Sequence, residues 1–480
     1  MDAHANHDHG PTPTLRGMKR VAAGVAASHP ATARAGLQVL RDGGTAADAA
    51  VAAVLACCVA ETIFTGLGGG GFATYFEAAT GTVTCLDFFV AVPGTDGDRE
   101  PGPMISVDVF FGGLPQVYSI GGASVAVPGV PAGCGEVHRR WGRLPWAEVV
   151  APASALAKTG VPIPGAHART LDSCAPALAW GEGAAVYTPK GRNLVDGELL
   201  FHPGLATALD ALAVVGPSIF YAGDFAPILV DTVRAAGGAL GPRDLADYRV
   251  LETPVDRAML GGYEVRARHD LNRVVDTIAG LPADLSRPRR AIGLADALRD
   301  RGRQKIGDTT NVSVVDPEGN ACVITTTLGL GSGVWLPGLG INLNSMLGEG
   351  ELITDDLAPG RRMQSNMCPL VVIDGEGRLA VAAGSAGASR IRTALIDTLL
   401  GVLVDEVDME TALARPRFHV VDDTVHVEPG YPRDELALLA GAGYKIKQWP
   451  GLNHYFGGAN AVGQAGAGGD PRRGGVGLLL

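Results

Sequence analysis

Aromatic residues are scarce in this 480-residue chain, at 5%, and charged residues are few, at 19%. Together with a hydrophobic content of 46%, so thin a charge excludes a mainly disordered polymer and a charged coiled coil. Positive charge is not in excess: 39 Lys and Arg stand against 50 Asp and Glu, a net charge of −11. No general basic field exists to draw in phosphate backbones, so nucleic acid is not an expected partner. The seven cysteines (Cys57, Cys58, Cys85, Cys134, Cys174, Cys322 and Cys368) form no CxxC pair. An odd, scattered set of this kind suits reduced buried thiols in a reducing compartment, not a disulfide or zinc framework.

Long apolar runs are missing too. The segment AAVAAVLACCVA between Asp48 and Glu61 is twelve residues, well short of the ~20 that cross a bilayer, and reads as a buried helix; no membrane association is expected. Lys19 and Arg20 ahead of VAAGVAAS and ATA have the outline of an export leader, but the stretch lacks Leu and Phe and meets Pro30 early. A core strand followed by a helix is the expectation there, with a cytoplasmic location, and periplasmic or secreted as the lesser alternative.

What the chain does hold in quantity is 68 Gly and 31 Pro, the composition of many turns and close backbone contacts. Residues 1–17 are polar, carry His4, His7 and His9, and read as a loose tail. Helices are expected at 32–40 and 46–60, with Gly43 and Gly44 as a stop and Thr45 as an N-cap between them. TGLGGGGFATYF and EAATGTVTCLDFF read as strand, turn, strand. The first formally contains GxGxxG at Gly66, Gly68 and Gly71, but a strand follows where a dinucleotide site needs a helix, so that site is not expected. Residues 125–248 read as largely helical, and the basic cluster at 267–307 as an exposed connector. DTTNVSVVDPEGNACVITTTLG is strand, turn, strand; LVVID and LAVAA are further strands, and GSAGASRI opens the helix RTALIDTLLGVLVDEV.

Ten segments in order carry more than any one alone: AGLQVLRDGGTAADAAVAA, TGLGGGGF, SVAVPGVPAG, RWGRLPWAEVVAPA, FYAG, GGALGPRDLADY, DTTNVSVVDPEGNA, GSAGASRI, ARPRFHV and GGDPRRGG. With them the chain resembles the gamma-glutamyltransferase family of N-terminal-nucleophile hydrolases, from about Val25 to Gly475. The resemblance implies a mixed α/β (α+β) fold, a four-layer αββα sandwich. It further implies self-cleavage at the Asp308–Thr309 bond into a large-subunit-like segment, 18–308 behind the tail 1–17, and a small-subunit-like segment, 309–480. The fragments of 308 and 172 residues would remain one intertwined domain, a heterodimer of the chain's own pieces, with further oligomerisation left open.

Cleavage of that kind leaves a Thr whose free α-amine, with a reference pKa of about 7.7–8.0, can act as general base beside its own hydroxyl. One residue, Thr309, would thus supply nucleophile and base. By the same resemblance Thr327 orients the nucleophile and the backbone N–H groups of Gly387 and Ala388 form the oxyanion hole. No metal and no organic cofactor is called for. The strand's alternation alone does not choose Thr327 from Thr325 and Thr326.

The recognition shell departs from the family pattern. Where the family holds the glutamyl carboxylate with an Arg in a DFREMAP-like segment, this chain has DFFVAVP at 87–93, with Phe89 in the Arg position. A phenyl ring cannot replace a bidentate guanidinium contact. The family's Asn after the second Thr is Gly329, its Gln and Asp align with Met346 and Glu349, its Ser pair is Ser365 and Asn366, and its His is Asn311. Phe89, Glu349, Ser365 and Asn366 are the expected substrate-binding residues, with Arg361 or Arg362 as a substitute clamp from another direction. The expected function is a self-processing amidohydrolase or acyltransferase acting on a small amide or peptide whose acyl group is less charged than glutamyl. The alternatives are a catalytically silent binding scaffold and a conventional glutathione hydrolase with a substitute clamp.

Overall fold

The structure, a computed structural model, describes residues 21–111, 114–299, 308–353 and 357–480. The tail at 1–17, Lys19 and Arg20 of the leader-like stretch, and 300–307 of the basic cluster lie outside the described residues.

Local rules place the first helices. Helix Ala46–Ala60 begins at Thr45, whose side chain accepts from the Asp48 N–H while Asp48 Oδ2 accepts from the Thr45 N–H at 3.0 Å, a reciprocal cap. Asp48 Oδ2 also accepts from the Arg143 N–H at 2.9 Å, pinning the helix start to a distant turn. The helix is buried along its whole length, and its Ala-rich surface lets it lie close to its neighbours. Thr45→Ala is expected to lower stability by about 1 kcal/mol, read as a shift of the urea midpoint at unchanged slope.

Two antiparallel sheets form the centre. The first has seven strands in the order Val476–Leu479, Gly24–Ala27, Thr310–Val315, Ala321–Thr327, Gly70–Glu77, Thr82–Phe88, Leu251–Thr253. The second has six: Gly466–Gly469, Gly458–Gly463, Leu379–Ala386, Leu370–Ile373, Tyr263–Arg268, Val255–Leu260. Alternation along Thr310–Val315 sorts the layers. Val312 and Val314 pack with helices Pro30–Arg41 and Ala46–Ala60, whereas Val315 joins Phe76, Val371 and Val462 between the sheets and Ser313 donates to Asn460 O at 2.9 Å. Helix Arg390–Leu403 covers the outer face of the second sheet. The layers therefore run helix, sheet, sheet, helix, as the resemblance implied. Strands from before and after residue 308 pair with one another in both sheets: Gly24–Ala27 lies between Val476–Leu479 and Thr310–Val315, and Tyr263–Arg268 pairs with Leu370–Ile373.

The glycine run serves packing rather than a nucleotide. A Cβ at Gly69 would stand 2.2 Å from Thr327 O, and one at Gly71 2.4 Å from Thr325 O, so these glycines let strand Gly70–Glu77 approach Ala321–Thr327. The reading of 267–307 as an exposed connector is overturned where the segment is described. It contributes the end of strand Tyr263–Arg268 and helices Val274–Ala279 and Arg290–Leu298. Arg268 and Arg290 are buried, paired with Asp270 and with Asp405, the latter at 2.7 Å. A run of charges signals solvent only when no acid folds back onto it, and Asp405 comes from 115 residues away. Among the described residues no helix is long and apolar enough to cross a membrane.

Candidate active site

Thr309 stands just before strand Thr310–Val315, and the strand's two-residue period sends Thr309 and Thr310 to opposite faces. Thr310 faces the helices, where its hydroxyl donates to Glu61, a buried carboxylate that also accepts from Thr32 at 2.7 Å. Thr309 faces a narrow cleft. The first residue of the pair, not the second, is therefore the one that lines the cleft.

The neighbouring strand ends in Thr325, Thr326 and Thr327, and the structure separates the three. Thr325 is hydrogen-bonded to the Asn311 side chain at 2.7 Å and Thr326 accepts from Thr65 at 2.9 Å. Thr327 instead donates to the carbonyl oxygen of Asp308 at 2.5 Å and accepts from the Gly329 N–H at 2.9 Å. Its hydroxyl thus polarises the carbonyl of the Asp308–Thr309 bond while a backbone donor fixes its direction.

Asp308 is held as firmly by its side chain. Oδ1 accepts from the Thr309 N–H at 3.1 Å and from Arg473 Nη1 at 2.5 Å, and the same Nη1 lies 3.4 Å from Thr309 O. Burial pushes the Asp308 carboxyl above its ordinary range against the pull of the Arg473 charge. Oδ2 is buried and has no hydrogen-bond partner among the described residues. Arg473 lies over the Phe64 ring, 4.9 Å from its centre, and its carbonyl oxygen is 2.9 Å from His167 Nε2. Burial drives the His167 pKa down to about 3, so that ring is neutral near pH 7. Sequence reasoning gave Arg473 no role; the only signal was the paired arginines of GGDPRRGG.

Gly387 and Ala388 turn the chain from strand Leu379–Ala386 into helix Arg390–Leu403 with φ of 121° and 50°. A side chain at 387 would meet Gly457 Cα at 2.8 Å. Ala388 lines the cleft in a left-handed conformation that a non-glycine residue adopts only at a cost. The turn stands at the positive end of a fourteen-residue helix, where the peptide dipoles favour developing negative charge.

The other expected residues, Phe89, Glu349, Ser365 and Asn366, line the same cleft with Met346, Leu352, Met367 and Ile391. Phe89 is fully buried and stacked on Phe72 at 5.4 Å, making this wall apolar. Gly329 has φ of 67°, and a Cβ there would lie 2.6 Å from both Glu349 Oε1 and Ser345 Oγ, so a side chain at 329 would displace these two and adopt a strained backbone. Arg362 is turned away: it donates to the carbonyl oxygens of Phe89 and Arg249, lies 3.4 Å from Asp87 and covers the Tyr248 ring. Neither Arg361 nor Arg362 lines the cleft.

A family model described as Gamma-glutamyltranspeptidase matches residues 32–269 and 283–479. The glutathione hydrolase proenzyme of Bacillus subtilis (strain 168) is 26% identical, with 89% of this chain and 85% of the relative covered. The acylase ACY 1 proenzyme of Pseudomonas sp. (strain SE83) is 28% identical, with 91% and 89% covered. The crystal structure of cephalosporin acylase from Bacillus halodurans superposes with a TM-score of 0.79 at 22% identity, over 100% of this chain and 99% of that one, a likeness of fold. With the sandwich in place and the family match spanning most of its length, this chain belongs to the gamma-glutamyltranspeptidase family and is an enzyme of that self-processing, N-terminal-nucleophile type.

Proposed function

We propose that the chain cleaves itself at Asp308–Thr309 and then hydrolyses or transfers the acyl group of a small amide, with Thr309 as nucleophile and base. The observation that carries this reading is the Thr327 hydroxyl on the Asp308 carbonyl oxygen, 2.5 Å away, beside a Thr309 that opens on the cleft. Thr309 Oγ attacks the Asp308 carbonyl carbon; the C–O bond forms, the C–N bond breaks, and the hydroxyl proton ends on the departing nitrogen. Water then hydrolyses the ester, leaving an Asp308 carboxylate and a Thr309 with a free amine.

In turnover that amine takes the hydroxyl proton as Oγ attacks the substrate carbonyl and returns it to the leaving amine. The N–H groups of Gly387 and Ala388 receive the negative oxygen, and water releases the acyl group. Phe89 stacked on Phe72, with Arg362 committed to the Asp87 side, leaves the charged end of a glutamyl group without a guanidinium at that wall. This favours an acylase over a glutathione hydrolase.

The test is mass spectrometry of the purified protein together with two chromogenic amides. Fragments of 308 and 172 residues are expected. kcat/KM for butyryl-p-nitroanilide should exceed that for γ-glutamyl-p-nitroanilide by roughly tenfold, the scale of one charge-assisted contact. An intact chain overturns the mechanism, and a preference for the γ-glutamyl compound overturns the acyl assignment.

A further inference from the structure

We propose that Arg473 anchors a substrate carboxylate, so that the processed enzyme takes acyl groups of the succinyl type, with the carboxylate two methylenes from the reacting carbonyl. The inference rests on the self-cleavage reading above, because in that reading the uncleaved chain is its own first substrate. Asp308 is the acyl group of that reaction. Its carbonyl oxygen is on Thr327 at 2.5 Å and its carboxylate on Arg473 at 2.5 Å, with two carbons between. That is the skeleton of a four-carbon diacid attached through one end.

No second substrate can reach Thr309 while Asp308 remains, since Asp308 itself lines the cleft and occupies the Thr327 hydroxyl; Arg473 does not line the cleft but lies behind Asp308, on its carboxylate. Cleavage makes Asp308 the free end of the 308-residue fragment, and in this proposal that end then withdraws from the cleft, taking with it the acid paired with Arg473. Arg473 is 2% exposed, and its buried Nε has no hydrogen-bond partner among the described residues. Among the described residues Phe64 lies under the guanidinium and His167 on the Arg473 carbonyl, and burial lowers the pKa of both His167 and the nearby His454 to about 3, so neither imidazole is charged near pH 7. A buried guanidinium stripped of its acid is strongly unfavourable, so the vacated space selects for an incoming carboxylate at the distance Asp308 leaves behind. A glutamyl group fits this position badly: its carboxylate lies one carbon further out, and its ammonium would stand near a like charge.

The experiment uses the purified, processed protein with succinyl-, butyryl-, methylsuccinyl-ester- and γ-glutamyl-p-nitroanilide. kcat/KM for the succinyl compound is expected to exceed that for its uncharged isostere butyryl by roughly tenfold or more, mainly through KM, and the methyl ester should lose the advantage. A processed enzyme that takes butyryl as well as or better than succinyl, or takes none of the four, overturns the role of Arg473 and leaves the self-cleavage reading standing. A chain that stays in one piece and hydrolyses none of them overturns both.

Discussion

Thr309→Ala should run as one 480-residue band on a denaturing gel, where the unsubstituted protein separates into pieces of 308 and 172 residues. The variant keeps the Asp308 carbonyl on Thr327 and the Asp308 carboxylate on Arg473, since neither contact uses the Thr309 side chain. Only the attacking oxygen is gone. Without it the peptide carbon has no neighbour able to form the ester, and the uncatalysed bond is stable for the life of a preparation. Hydrolysis of any amide should vanish in step, because the free α-amine that serves as base is itself a product of the cleavage. Thr309→Ser, which restores the hydroxyl, should give two bands again. Two bands from Thr309→Ala would remove this residue from the mechanism.

Thr327→Val is the second large effect. Valine keeps the branched shape suited to a strand but deletes the hydroxyl that donates to the carbonyl to be attacked. Loss of a single oriented donor to a developing oxyanion typically slows a reaction by about 10²-fold, and cleavage followed from cell-free synthesis should slow on that scale. The substitution also strands the Gly329 N–H that Thr327 accepts, at a stability cost of about 1–3 kcal/mol. Thr327→Ser separates the two contributions by restoring both hydrogen bonds, and it should cleave at close to the original rate. A Val variant that cleaves as fast as the unsubstituted protein would show that the hydroxyl contact is incidental.

Much of the architecture was legible before the structure, and for a local reason. Helix Ala46–Ala60 has the bounds expected from its sequence because Thr45, Asp48 and the preceding glycines act within a few residues of one another. The strand pair around Pro317 follows from two β-rich runs joined by a turn. The connector at 267–307 failed for the converse reason: its arginines are buried by acids that no local pattern connects to them, such as Asp405 to Arg290. The helix read through RTALIDTLLGVLVDEV stops at Leu403, freeing Asp405 to pair with Arg290 and Arg415.

In the site, residue types and order were enough to gather Phe89, Thr309, Thr327, Glu349, Ser365, Asn366 and Ala388, all of which line one cleft. Gly387 lies beside them in the chain turn. The tertiary structure added three matters. Thr327 is distinguished from its two neighbours by what each hydroxyl meets across the sheets. Arg362, a candidate clamp by its charge, is drawn onto Asp87 and the Phe89 carbonyl. Arg473 reaches Asp308 across 165 positions of sequence. Alternation and capping are short-range and so can be read from neighbours, whereas the direction of a long charged side chain is set by whichever buried acceptor the folded chain brings within reach.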